Sequence, residues 1–229
     1  KETIKKINVF PYQLFATYLN TKGTSGVNSK ITGAIQDALD ISVENVPVLN
    51  DTTHLFICLD VSGSMSSPVT GHNGSASSKV KCVDVGAIFA ASFAKTNQQC
   101  DVKVITFHND AKEISLNLKD SLATLANSIN TPGGSTNCNS AMELINNHYN
   151  LSKTDKIAVV FVSDNCSWNE YSGYSAIGNS TPLAKTWRDV RNKVAAGKLV
   201  LIDIQPGTTT PNKTSNEVLN VGGFSDAVF

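Results

Sequence analysis

Apolar positions along this chain follow two different spacings. In residues 1–48 they recur with a helical period: from Pro11, well suited to a first helical turn, Leu14, Phe15, Tyr18 and Leu19 share one stripe up to the Gly23-Thr24-Ser25-Gly26 break. A second helix is predicted beyond it, capped by Ser29, carrying Ile31, Ala34, Ile35, Ala38, Leu39 and Val43 on one face and stopped by Pro47. Residues 1–48 therefore read as a separate antiparallel helix pair and residues 49–229 as a second unit.

In that second unit short β-branched runs alternate with amphipathic helices. The runs are Leu55 to Leu59, Val102 to Phe107, Glu113 to Leu116, Lys156 to Val162, Lys198 to Ile204 and Ala227 to Phe229. Most are continuously apolar, as strands covered on both faces must be, which predicts a mostly parallel sheet. Helices are predicted at about Lys79 to Lys95, Asp120 to Ile129, Cys138 to Tyr149 and Pro182 to Val194. The link His108-Asn109-Asp110-Ala111 is too short for a parallel crossover, so the strands it joins must form a hairpin and one edge strand must run backwards. The fold class is thus α/β, with helices on both faces of the sheet.

Composition narrows the functions open to such a fold. The 19 basic and 19 acidic side chains cancel, and charged residues are only 17% of the chain, which removes a basic arm or an acidic tail. Zero net charge also argues against nucleic-acid binding carried mainly by backbone electrostatics. No apolar stretch approaches the roughly 20 residues needed to span a bilayer, so no membrane association is expected. The five cysteines are odd in number and contain no C-x-x-C pair. All five are expected to be free thiols in a reducing, cytoplasmic setting. Five N-x-[ST] triplets are what chance gives in a chain this rich in Asn, Ser and Thr. A first residue Lys1 and a last residue Phe229 inside an apolar run suggest a piece of a longer protein, truncated at its C-terminus.

In a parallel sheet, ligands bind beyond the C-terminal strand ends. The run Leu55 to Leu59 leads into Asp60-Val61-Ser62-Gly63-Ser64-Met65, and Lys156 to Val162 into Ser163-Asp164-Asn165. The loop Pro132-Gly133-Gly134-Ser135-Thr136-Asn137 opens a helix at the same rim. Asp60, Ser62, Ser64, Thr136 and Asp164 are hard oxygen donors suited to Mg²⁺, or to Mn²⁺ or Ca²⁺. Two carboxylates balance a divalent charge, and neutral hydroxyls leave the ion electrophilic. Gly63, Gly133 and Gly134 are expected to allow the tight turns that bring these oxygens together. Asp60 is expected to lie outside the core, with Asp164 acting through a water.

These residues resemble the metal-ion-dependent adhesion site of a von Willebrand factor A domain, a Rossmann-like fold that also has a single reversed edge strand. Asp164-Asn165-Cys166-Ser167-Trp168, the Trp187-Arg188 helix and Gly222-Gly223-Phe224-Ser225-Asp226-Ala227-Val228-Phe229 are similar to the C-terminal half of bacterial Ro autoantigen (TROVE) proteins. Phe10-Pro11-Tyr12-Gln13-Leu14 and Ile35 to Val46 resemble the end of that family's helical-repeat, RNA-binding ring. Cys166 after Asn165, and Ser135 between the glycine pair and Thr136, depart from the family pattern. The resemblance implies a non-enzymatic, metal-bearing docking half of a ribonucleoprotein active in noncoding RNA binding and RNA quality control. Small noncoding RNA would be held mainly by the absent helical region. A protein partner, an exoribonuclease among the candidates, would dock through a carboxylate that completes the metal shell.

Two other classes share some of these features. A generic A-type adhesion or assembly module would use the same metal site without RNA, but a glycan on Asn165 would block docking beside the metal. A metal-dependent phosphohydrolase would need machinery that is missing: G-x-S-x-G and the Walker pattern are absent, and Ser62 stands where haloacid-type phosphotransferases carry a second Asp. The four histidines, His54, His72, His108 and His148, read as surface or capping residues. Trp168, Tyr171 and Tyr174, in the loop after Asp164, form either an aromatic docking rim or buried packing under that loop. Lys185, Arg188 and Arg191 are candidate RNA contacts, with a solvated helix face as the alternative.

Overall fold

The structure, a computed structural model, describes residues 9–22, 26–69, 80–129, 133–164, 181–205 and 214–223. Helices α1 (Pro11–Thr21) and α2 (Ser29–Ser42) come first. Asn28, not Ser29, caps α2, its side chain accepting the Lys30 N–H at 2.9 Å. Ser29 is instead the first residue inside the helix.

The six strands are β1 (His54–Asp60), β2 (Asp101–Phe107), β3 (Ala111–Ile114), β4 (Lys156–Ser163), β5 (Ala196–Asp203) and β6 (Val218–Gly222), in spatial order β3-β2-β1-β4-β5-β6. All neighbours pair in parallel except β2 with β3, where Thr106 faces Lys112 in an antiparallel hairpin. The reversed strand starts two residues earlier than its apolar pattern suggests. The turn takes only three residues, closed by His108 N–H donating to Asp110 O at 3.0 Å, so pairing begins at Ala111. A strand at Ala227 to Phe229 lies outside the described residues. The edge strand β6 has no counterpart in the sequence reading, because Val-Leu-Asn-Val-Gly is short and broken by a polar residue.

Helices α3 (Cys82–Thr96), α4 (Leu122–Ile129), α5 (Cys138–His148) and α6 (Pro182–Arg191) complete the layers. Alternation along β1 divides the core. Leu55, Ile57 and Leu59 join α1, α2, α3 and α4, whereas Phe56 and Cys58 join α5 and α6. Both faces of the strand are therefore apolar, which is why it carries no polar alternation.

The N-terminal helices pack on the first of these faces. Phe15, Tyr18, Leu39, Val43 and Val46 are buried in the same cluster as the sheet. Asp40 Oδ1 accepts the N–H of Leu122 at 2.8 Å, so a side chain of α2 caps the start of α4. Among the described residues no helix is long and apolar enough to cross a membrane, and Cys58, Cys82, Cys100 and Cys138 are free thiols. Cys166 lies outside the described residues.

Candidate metal centre

Three loops meet at the C-terminal rim of the central strands. The first follows β1. Val61 N–H donates to Phe107 O at 2.9 Å, and a short 3-10 turn over Gly63–Ser66 buries Met65 completely beneath it. Met65 thus anchors the turn that presents both serines, a role the sequence reading did not give it.

The second loop is laced to the first by backbone bonds. Gly133 N–H donates to Val61 O at 2.7 Å and Gly63 N–H to Gly134 O at 3.0 Å. Of the three glycines expected to shape these turns, only Gly134 has a positive φ, at +78°. Gly63 is required for a different reason, since a Cβ there would press to 3.4 Å from Gly134 O.

The oxygens gather as follows. Ser62 and Ser64 Oγ are 3.1 Å apart, and Ser64 Oγ donates to Asp164 Oδ1 at 3.2 Å. Asp60 lies behind them, with Oδ1 accepting the Ser62 N–H at 2.8 Å and Oδ2 accepting the Ser163 hydroxyl at 2.6 Å. Thr136 is brought to the rim by its loop and is 1% exposed. Asp60 is fully buried, so the expectation that it stands outside the core is corrected. It ends a central strand and is roofed by both loops. Burial pushes its pKa up to about 6, with the Asp164 charge adding to the rise and the Ser163 and Ser62 bonds opposing it.

The donor set fits a hard divalent ion. With Mg²⁺–oxygen distances of about 2.0–2.1 Å, neighbouring oxygens of an octahedral shell lie about 2.9 Å apart. The Ser62–Ser64 and Ser64–Asp164 separations are close to that edge. An ion would also relieve a wholly buried carboxylate of its desolvation cost. Among the described residues no group of three or more His, Cys, Asp or Glu side chains could hold a metal, so any such site must rest on two carboxylates and hydroxyls.

Other candidate residues do not converge here. Trp168, Tyr171 and Tyr174 lie outside the described residues, as does His72. On α6, Leu183, Trp187 and Val190 form the buried stripe and Lys185 and Arg188 are exposed opposite it. Arg191 is engaged, with Nη2 donating to Glu217 Oε1 at 2.8 Å. His54 opens β1 at the far end of the sheet, its Nδ1 3.0 Å from Asp101 and its Nε2 3.6 Å from Asp155. Ser163 is the site residue that sequence reasoning missed. Its signal was a lone hydroxyl ending the apolar run of β4, directly before Asp164.

A mostly parallel six-stranded sheet with one reversed edge strand, helices on both faces and N-terminal helices before it defines the von Willebrand factor A fold. The Ro60 vWA domain family matches residues 54–229, and the chain belongs to that family. No curated protein matches it. In fold it is similar to the crystal structure of the RO (RSR) protein of Deinococcus radiodurans, with a TM-score of 0.68, 18% identity, and coverage of 97% of this chain and 43% of that one. The chain thus spans less than half the length of that relative. Weaker likenesses include the conserved hypothetical protein BatB from Bacteroides thetaiotaomicron (TM-score 0.47, 13% identity, 76% of this chain and 92% of that one). Another is a von Willebrand factor type A protein from Catenulispora acidiphila (TM-score 0.44, 10% identity, 66% of this chain and 33% of that one).

Proposed function

We propose that this domain is a metal-dependent docking module of a Ro-like RNA-binding protein. Asp60, Ser62, Ser64, Thr136 and Asp164 would hold Mg²⁺, or Mn²⁺ or Ca²⁺, and a partner's carboxylate would complete the shell. The observation that carries this reading is the line of oxygens from Ser62 through Ser64 to Asp164, with a buried carboxylate behind it. When bound, the ion supplies a fixed positive charge whose mostly neutral ligands leave it able to attract a further anion. The chain's own residues do the positioning: Ser163 and the Ser62 amide orient Asp60, and the backbone ties between residues 61–63 and 133–134 hold the two hydroxyl-bearing loops together.

The reading is non-enzymatic and places the protein in a reducing, cytoplasmic setting, supported by the four free thiols. RNA would be held mainly by a helical region outside this chain, and an exoribonuclease fits the partner. Zero net charge, and the tie between Arg191 and Glu217, support a minor role in RNA binding for the domain itself.

Calorimetry with Mg²⁺, followed by an acidic peptide in the presence of Mg²⁺ or EDTA, tests the proposal. Mg²⁺ uptake and Mg²⁺-dependent peptide binding are expected. Peptide binding that ignores EDTA would refute the docking mechanism, and Mg²⁺-dependent hydrolysis of a phosphoester would replace it with an enzymatic one.

A further inference from the structure

The loop carrying Thr136 is gripped from the edge of the sheet. Ser135 N–H donates to Asn109 Oδ1 at 2.7 Å and Asn137 N–H donates to His108 O at 2.8 Å, so both neighbours of Thr136 are bonded to the β2–β3 turn. Asn137 Nδ2 also reaches Asn109 O at 3.3 Å. One residue earlier, Gly134 turns with its positive φ against the same pair: a Cβ there would lie 3.1 Å from His108 Nδ1 and 3.2 Å from Asn109 Oδ1. The grip is itself held, because Asn109 N–H donates to His108 Nδ1 at 2.6 Å and His108 N–H closes the turn on Asp110 O.

We propose that Asn109 is a positioning residue for the cation site, and that the reversed hairpin sets the place of the Thr136 hydroxyl. The inference rests on the metal-docking reading above. The ties to Val61 and Gly63 hold the loop only as far as Gly134, so the stretch that bears Thr136 depends on the hairpin. Of the bonds from the turn to the two neighbours' amides, only the one to Ser135 uses a side chain as acceptor, which makes Asn109 the point where sequence controls the grip. A neutral hydroxyl binds a cation weakly and contributes only when it is placed in advance, so its supporting residues matter as much as the ligand. Asn109 is exposed, and its effect is therefore local.

The test is Mg²⁺ calorimetry on the whole chain for wild type, Asn109→Ala and Asn109→Asp, with amide hydrogen exchange at Ser135 and urea unfolding on the same proteins. Asn109→Ala is expected to weaken Mg²⁺ about 10-fold or more, as loss of a ligand's supporting partner does. Ser135 exchange should quicken and the urea midpoint stay near wild type. Asn109→Asp keeps the acceptor and is expected to hold Mg²⁺ and Ser135 protection near wild type. Unchanged Mg²⁺ affinity in Asn109→Ala, or unchanged Ser135 exchange, overturns the positioning role. A wild type that takes up no Mg²⁺ overturns the metal reading itself and is told apart by its own titration.

Discussion

Ser163 donates its hydroxyl to Asp60 Oδ2 at 2.6 Å, joining the ends of the adjacent strands β1 and β4. Both side chains are buried. With the Ser62 amide on Oδ1, the bond fixes the carboxylate from two sides. Removing the hydroxyl leaves a buried oxygen short of a donor, so Ser163→Ala is expected to cost about 1–3 kcal/mol in urea unfolding at neutral pH without metal. An unchanged midpoint would show that water replaces the hydroxyl.

The raised Asp60 pKa gives the metal-free protein a defined pH dependence. Below the ordinary carboxylate pKa both folded and unfolded chains are protonated, and the folded form keeps its advantage. As pH rises through about 6 the folded chain must ionise a buried group, and stability falls. From near 3.8 to about 6 the loss is about 3 kcal/mol, read as the difference between wild type and Asp60→Asn. Parallel pH profiles of the two proteins in EDTA would remove the assignment. Mg²⁺ should reverse the slope above pH 6, because the ion binds only the ionised form.

Asp60→Asn is expected to abolish Mg²⁺-dependent thermal stabilisation while leaving the fold intact. The amide oxygen can still accept the Ser62 N–H, and the Ser163 hydroxyl can rotate to accept from the new NH₂. Asp164→Asn, which retains an oxygen within reach of Ser64, should weaken Mg²⁺ less. The check is thermal unfolding with and without Mg²⁺. Stabilisation that survives Asp60→Asn would place the ion elsewhere.

The strands and the rim were legible because they follow from chain periodicity and from strand-end placement. Leu55 to Leu59 is apolar at every position, which only a strand covered on both faces tolerates, and Asp60 after it stands at a strand end by necessity. What escaped depends on contacts between distant residues. Asn109 lies in a polar turn that reads as surface until the Ser135 amide is seen against it, and Ser163 looks like the last residue of a strand until Asp60 faces it. The cap shifted from Ser29 to Asn28 because two good cap residues stand side by side and local sequence does not rank them. Strand β6 exists because β5 offers it a ladder, a tertiary effect its own composition does not announce.

Gly86 shows how tightly α3 sits on the sheet. A Cβ at this position would overlap Leu59 Cδ1 and come within 3.5 Å of Val162. Gly86→Ala is therefore expected to destabilise by about 1–3 kcal/mol, as overpacking does, despite the better helix propensity of alanine. Shortening the neighbour should rescue it: Gly86→Ala with Leu59→Val should be more stable than Gly86→Ala alone. Urea unfolding of the three proteins decides it, and additive losses would show that the clash is relieved elsewhere.

Asn97 ties the N-terminal segment to the sheet layer by its side chain alone. It is fully buried, its Oδ1 accepting the Leu49 N–H at 2.7 Å, and its Nδ2 donating to Pro47 O at 3.2 Å and to Phe93 O at 3.0 Å. One amide thus satisfies the stretch between α2 and β1 and the last turn of α3 together. Truncation strands at least two backbone groups, so Asn97→Ala is expected to cost at least about 2 kcal/mol. Asn97→Asp separates hydrogen bonding from shape. Its carboxylate still accepts from Leu49, but the other oxygen meets two carbonyl acceptors and buries a charge. At neutral pH it should be no better than Asn97→Ala, and it should recover as the carboxylate protonates and regains a donor. Urea unfolding at pH 7 and pH 4, with hydrogen exchange at the Leu49 amide, reads both effects. If Asn97→Asp matches wild type at pH 7, the donated bonds to Pro47 and Phe93 contribute nothing.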